Sequence, residues 1–207
     1  VKIGDDKYGD KMPVSIRESK RALRERVTAN RGQLSAQALA AGARELRDLA
    51  LELPEMATAR RVATYVSVGA EPGTGPLIEA LYERGVELLL PVLLPDYDLD
   101  WGYYRGPSSL ASAPKGLLEP TGPTLGAEAI AEADLLLVPA LAVDRHGTRL
   151  GKGAGCYDRV LARLAGQAPA FVLLHDGEIL DIPIPKEPHD VPVDRALTPS
   201  GIHHLRP

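Results

Sequence analysis

Residues 135–138 read Leu-Leu-Leu-Val, an apolar run with no polar residue alternating through it. A strand with one wet face alternates, so a strand without alternation needs cover on both sides. Residues 170–174, Ala-Phe-Val-Leu-Leu, make the same demand. Strand-like and helix-like segments alternate around these runs. Together they predict an α/β chain: an open, mostly parallel twisted sheet with helices on both faces.

The helices are marked by their ends. Residues 15–30 carry Ile16, Leu23 and Val27 at helical spacing, with Arg17, Lys20, Arg21 and Arg24 on an adjoining face, and Gly32 ends the run. Ser35 is suited to cap a second helix reaching about Leu53, with Leu39, Ala43, Leu46, Ala50 and Leu53 as its apolar stripe and Pro54 as its stop. Residues 62–68 read as a strand that runs into the turn-forming stretch GAEPGTGP. Thr74 then caps a helix bearing Leu77, Ile78 and Leu81, closed by Gly85. Strands are expected at 86–90 and around 101–104, a loop over 107–126, the end of a short helix at 130–134, a helix over 156–164 and a short strand near 191–193.

Composition narrows the function classes. The chain is 44% hydrophobic, enough for a real core, and its formal net charge of −4 offers no basic field to nucleic acid. Aromatics at 4% also argue against a stacking platform for single strands. Cys156 is the one cysteine, which excludes an intrachain disulfide and a multi-cysteine metal site. No apolar run approaches the ~20 residues of a membrane span. Residues 1–13, polar and mixed in charge, read as a disordered leader, and residues 14–207 as one domain. A cytoplasmic monomer that binds neither nucleic acid nor membrane is expected.

Chemistry concentrates in residues 149–158, RLGKGAGCYD. Gly151, Gly153 and Gly155 alternate, and a helix follows at once. Glycines let backbone N–H groups approach a ligand, and a helix N-terminus adds oriented donors, so the segment suits phosphate. Arg149 and Lys152 add positive charge. The loop is not a Walker A motif, because no Lys-Ser or Lys-Thr follows its glycines. Nor is it a Rossmann fingerprint, because Cys156 stands where the third glycine belongs and no strand directly precedes the loop. A glycine-rich turn with solvated charges accounts for the same spacing. Lys20 and Arg24, at i and i+4, share a helix face and could clamp polyphosphate, or form an ordinary solvated face. Asp158, in the first helical turn, could hold Mg²⁺ or simply suit the helix dipole. Asp194 is a second candidate metal ligand, or a turn residue. Glu71 lies in a loop after a strand, where α/β folds place ligand contacts. Cys156 has no evident base beside it, and a small packed side chain is the simpler account.

Taken together, these segments resemble the 5-formyltetrahydrofolate cyclo-ligase family, also called 5,10-methenyltetrahydrofolate synthetase. VPALAVDRHGTRLGKGAGCYDRVL, residues 138–161, is similar to the family pattern P-x-L-x-x-D-x-x-G-x-R-L-G-x-G-x-G-Y-Y-D. ESKRALR (18–24), YVSVGAEPGTGPLI (65–78) and HDVPVDRALTP (189–199) match more weakly, in the family's order. The resemblance implies an ATP- and Mg²⁺-dependent conversion of 5-formyltetrahydrofolate to 5,10-methenyltetrahydrofolate. It implies ATP contacts from Lys20, Arg24, Arg149, Leu150, Gly151, Lys152, Gly153, Ala154, Gly155, Cys156 and Tyr157. It implies a folate site at Val66 and Glu71 that shares Lys152, Gly153, Ala154, Gly155 and Cys156, and Mg²⁺ at Asp158 and Asp194. The implied fold is an open sheet of the sugar-isomerase and CoA-transferase type. One departure stands out: Cys156 replaces the first tyrosine of Tyr-Tyr-Asp. A nucleotide- or folate-binding paralogue without turnover is the alternative. Lys152→Ala and Asp158→Asn are each expected to weaken ATP use and leave the fold intact.

Overall fold

The computed structural model describes residues 15–164 and 166–206, so the leader expected at 1–13 lies outside the described residues. Helix α1 (Ile16–Arg31) starts on a capping box, in which Ser15 Oγ accepts the Glu18 N–H at 3.2 Å and Glu18 accepts the Ser15 N–H at 3.0 Å. Helix α2 (Ala36–Glu52) starts where Ser35 Oγ accepts the Ala38 N–H at 3.1 Å. Pro54 stops α2 by opening the short helix α3 (Pro54–Thr58), since its missing N–H costs nothing in a first turn.

The sheet is built from β1 (Arg61–Ala63), β2 (Glu87–Leu93) and β3 (Leu99–Tyr103), with α4 (Gly75–Glu83) crossing between the first two. A small hairpin of β4 (Leu110–Ser112) and β5 (Leu118–Pro120) interrupts the expected 107–126 loop. There follow a 3₁₀ turn at Ala127–Glu132, β6 (Leu135–Pro139), the hairpin β7 (Ala142–Asp144) and β8 (Arg149–Leu150), and α5 (Cys156–Leu164). The chain ends through β9 (Ala170–Leu173), β10 (Ile179–Leu180), β11 (Arg195–Thr198) and β12 (Gly201–His204). The order of the seven-stranded sheet is β12-β11-β9-β6-β1-β2-β3. The five inner strands are parallel, and the edge strands β3 and β12 are antiparallel.

Burial on both faces follows from the apolar runs. Leu135 and Leu137 of β6 pack beneath α2 and α4 with Leu46, Leu77 and Leu81. Leu136 and Val138 face the other way, against Val160, Leu161 and Leu164 of α5 and Ile130. Phe171 and Val172 of β9 divide in the same manner. Each such side chain contributes about 2 kcal/mol of burial. Among the described residues, no helix is long and apolar enough to cross a membrane.

Two expectations fail for a shared reason. The strand expected over 62–68 ends at Ala63, because the backbone beyond it is taken by side chains of the following turn. Thr74 Oγ1 donates to the Tyr65 carbonyl at 2.6 Å and accepts the Ser67 N–H at 3.0 Å, and Glu71 accepts the Val68 N–H at 2.9 Å. Thr74 does precede α4, but with its hydroxyl so engaged it makes no side-chain cap. No strand forms at 191–193; β11 and β12 follow instead.

The β7–β8 hairpin leads directly into the glycine loop. Asp144, buried, accepts the N–H groups of His146 and Thr148 on Oδ1 and of Ile184 on Oδ2, each at 2.9 Å. Gly147 completes the turn at φ +80°, pressed so close to the tail that a Cβ would stand 1.8 Å from the Val193 carbonyl oxygen. Gly147→Ala is therefore expected to destabilise by about 3 kcal/mol, adding a left-handed penalty to overpacking. Gly69→Ala, at φ +58° with open space around it, should cost only about 1 kcal/mol. Urea unfolding of both variants measures the difference, and equal costs would refute the close approach.

Candidate functional site

The carboxyl ends of β1, β2 and β6 open into a cavity of about 320 Å³. Chain connections leave the sheet in opposite directions at β1 and β6, the place where open α/β sheets bind ligands. The cavity is lined by the segment after β1 (Tyr65, Val66, Val68, Glu71), by the basic face of α1 (Lys20, Arg24), by Arg149 and the glycine loop, and by the tail residues Glu187, His189 and Asp190.

The polar half holds its cations firmly. The Arg149 side chain is only 4% exposed and donates to Asp158 Oδ1 at 2.7 Å. Its Nε is buried without a partner among the described residues. Burial pushes the Arg149 pKa down, against the pull of Asp158. Asp158 Oδ1 also accepts the Val191 N–H at 3.2 Å, and its Oδ2 takes no hydrogen bond among the described residues. Arg24 Nε donates to the Gly151 carbonyl at 2.8 Å, and its guanidinium lies 3.5 Å from where a Gly153 Cβ would be. Gly153, at φ +106°, thus supplies both the backbone shape and the room that Arg24 needs.

Lys20 is buried, contrary to a solvated face. Its Nζ lies 2.6 Å from Asp190 and 3.0 Å from Glu187. Burial works against the ammonium, but hydrogen bonds to the two carboxylates outweigh it and raise the Lys20 pKa. Burial likewise opposes the Asp190 carboxylate, yet the Glu187 N–H and Lys20 hold its pKa below the usual range. Across the cavity, Lys152 Nζ of the glycine loop meets Glu71 Oε1 at 2.6 Å.

The other half is apolar, with Tyr65, Val66, Pro91, Leu93, Leu99, Leu117, Cys156 and Tyr157. Burial raises the phenol pKa of both Tyr65 and Tyr157, which keeps both neutral. Burial also raises the Cys156 thiol, so the helix terminus does not make it a thiolate, and it packs against the core as a small side chain. At the rim, Lys115 Nζ stands 4.0 Å from the Tyr97 ring.

Of the residues singled out in the sequence, Lys20, Arg24, Val66, Glu71, Arg149, Gly151, Lys152, Gly153, Ala154, Gly155, Cys156, Tyr157 and Asp158 line this one cavity. Two do not. Leu150 is fully buried with Val27, Leu141 and Ile184, and its carbonyl accepts the Leu141 N–H at 2.8 Å. Asp194 is exposed just before β11, outside the cavity lining. Asp190, in the same HDVPVD segment, reaches the cavity because Lys20 draws it there. Glu187, Asp190, Tyr65 and Lys115 were missed, and only the acid-rich EPHD stretch hinted at any of them.

Comparison with known proteins gives a consistent picture. A sequence profile of the 5-formyltetrahydrofolate cyclo-ligase family matches residues 16–199. A Mycolicibacterium smegmatis protein named 5-formyltetrahydrofolate cyclo-ligase is 51% identical over 153 residues, 71% of this chain and 78% of the relative. An Escherichia coli protein of the same name is 30% identical over 190 residues, 90% of this chain and 98% of the relative. The solution structure of 5,10-methenyltetrahydrofolate synthetase from Aquifex aeolicus superposes with a TM-score of 0.78 at 26% identity, covering 91% of this chain and 93% of that one.

Two predictions follow from the ion pairs. Asp158→Asn was expected to leave the fold intact, but Asp158 is the only carboxylate bonded to the buried Arg149 guanidinium among the described residues. The substitution should cost about 2 kcal/mol in chemical denaturation. Asp98 ties the β2–β3 turn to α5: the Arg163 guanidinium, bonded at 2.8 Å, lowers its pKa to about 2. A depressed carboxylate stabilises above its unfolded pKa of ~3.9 and loses that contribution as pH falls toward 2. Asp98→Asn should remove a contribution on the order of 2 kcal/mol at pH 7 and flatten the stability profile between pH 4 and 2. An unchanged profile would contradict the assignment.

Proposed function

The chain belongs to the 5-formyltetrahydrofolate cyclo-ligase family, and on that premise we propose that it converts 5-formyltetrahydrofolate to 5,10-methenyltetrahydrofolate with ATP and Mg²⁺, acting in the cytoplasm through residues 14–207 as one catalytic domain. The observation that carries this reading is a single cavity with a cationic half and an apolar half, lined together by the glycine loop, α1 and the segment after β1. Polyphosphate suits the first half and a reduced pterin the second.

The reaction needs no protein nucleophile. The formyl oxygen attacks the γ-phosphorus and ADP leaves. N10 then attacks the formyl carbon, the C–N10 bond forms, the bond from that carbon to the phosphorylated oxygen breaks, and phosphate departs while N10 loses its proton. Such a path demands alignment and neutralisation of charge. Lys20, Arg24, Arg149 and Lys152 supply the charge, and the N-terminal end of α5 supplies oriented N–H groups. Val66 and Tyr65 offer the pterin an apolar wall, and Glu71 a carboxylate for its N–H donors.

The carboxylates fit a magnesium ion shared with phosphate, since Mg²⁺ takes one or two protein carboxylates and leaves its other positions to phosphate and water. Asp158, with Oδ2 carrying no hydrogen bond among the described residues, would hold it, and Asp190, which lines the cavity, would serve in place of Asp194. Bound there, the ion would offset the negative charge of the phosphates.

Mixing the protein with 5-formyltetrahydrofolate, ATP and Mg²⁺ should yield methenyl absorbance that depends on ATP. Absence of product at high protein concentration would sink the proposal, and binding of both substrates without product would favour a paralogue without turnover. Lys152 is 63% exposed at its side chain, so Lys152→Ala should preserve stability and raise the KM for ATP by about tenfold, the loss of one charge-assisted contact.

A further inference from the structure

We infer that the Lys152–Glu71 ion pair is a latch through which the folate substrate controls nucleotide binding. This rests on the functional reading above, which assigns Glu71 to the pterin and Lys152 to phosphate. The two side chains nevertheless meet each other, Nζ to Oε1, at 2.6 Å. Neither can serve its own substrate fully while bound to the other.

The partners differ in freedom. Glu71 is 11% exposed at its side chain, and its other oxygen accepts the Val68 N–H at 2.9 Å. The segment that carries it is tied down at several points. Tyr65 OH donates to the Pro72 carbonyl at 3.0 Å, Thr74 bonds Tyr65 and Ser67, and His175 Nε2 lies 3.0 Å from the Ala70 carbonyl. Lys152 is 63% exposed at its side chain and sits between Gly151 and Gly153, the latter at φ +106°. Glu71 is therefore the fixed post, and Lys152 the arm that swings on glycine hinges.

The consequence is an exchange of partners. A pterin that donates N–H groups to Glu71 competes with the ammonium and releases it. Arg24 and Arg149 hold the neighbouring positive charge in place, so the freed Lys152 adds to a phosphate site already formed. Folate binding then favours nucleotide binding, and thermodynamic reciprocity requires nucleotide to favour folate by the same factor. Phosphoryl transfer is thereby tied to the presence of its acceptor.

Calorimetric titration with a Mg²⁺-bound, non-hydrolysable ATP analogue, with and without saturating 5-formyltetrahydrofolate, tests the latch. For the unmodified protein, folate should tighten the analogue by about fivefold or more, within the usual range of couplings between sites. Glu71→Gln should bind the analogue tightly without folate and lose the dependence. Lys152→Met, at a side chain 63% exposed, should keep the fold and bind it weakly under both conditions. Coupling that persists at full strength in either variant would overturn the latch. Independent binding of the two molecules to the unmodified protein would overturn the latch alone. Failure to bind either one would remove the functional reading and the latch with it.

Discussion

The site depends on one buried carboxylate at the turn that leads into its glycine loop. Asp144 accepts three backbone N–H groups, two from its own turn and one from Ile184 in the tail. Each such charge-assisted bond is short and strong, and losing the acceptor would strand buried donors. Arg149 leaves that turn directly, and the glycine loop follows it. The same turn takes the Val193 N–H on the Gly147 carbonyl, so it also fixes the segment carrying Glu187 and Asp190. Hairpin, loop and tail are thus one unit, and the Asp and Gly of the D-x-x-G pattern are explained by backbone geometry.

Above that unit the cavity wall carries five cations and five carboxylates. Lys20 is held by Asp190 and Glu187, Arg149 by Asp158, Lys152 by Glu71, and Arg24 by a carbonyl. A near-balanced lining keeps buried cations charged without strong mutual repulsion. On the proposed function, an arriving phosphate would gain only by replacing existing partners, so the strength of each existing pair would set how much it gains. The pairs are unequal: Arg149 and Lys20 are buried, whereas Lys152 stands in solvent.

Much of the frame was legible from residues alone. The unalternating runs at β6 and β9 announced a sheet covered on both faces, and alternate side chains do enter the two cores. Ser35 marked the start of α2, α1 begins within a residue of the expected helix, and the glycine loop runs into α5 at the expected residue. What escaped reading depended on partners far away. β1 is cut short by Thr74 and Glu71 reaching back from the next turn. β11 and β12 were hidden because each is only four residues long, the buried β11 too short to show a period and β12 a half-exposed edge strand. Arg31, a helix-terminal residue with no distinguishing neighbour in sequence, is buried against Glu178 at 2.6 Å.

By itself the sequence determined the helix ends, the two-faced strands, the phosphate-suited loop and the family pattern. The first three rest on hydrogen bonds and periodicities spanning a few residues, and the family pattern rests on four segments that resemble the family in order. Only the tertiary structure decided which acid of HDVPVD meets Lys20, which side of β8 faces the core, and that Lys152 meets Glu71. Lys20 and Asp190 are 170 positions apart. Local chemistry gives Asp190 and Asp194 equal claims, and the packing of α1 and the tail around the Asp144 turn selects Asp190.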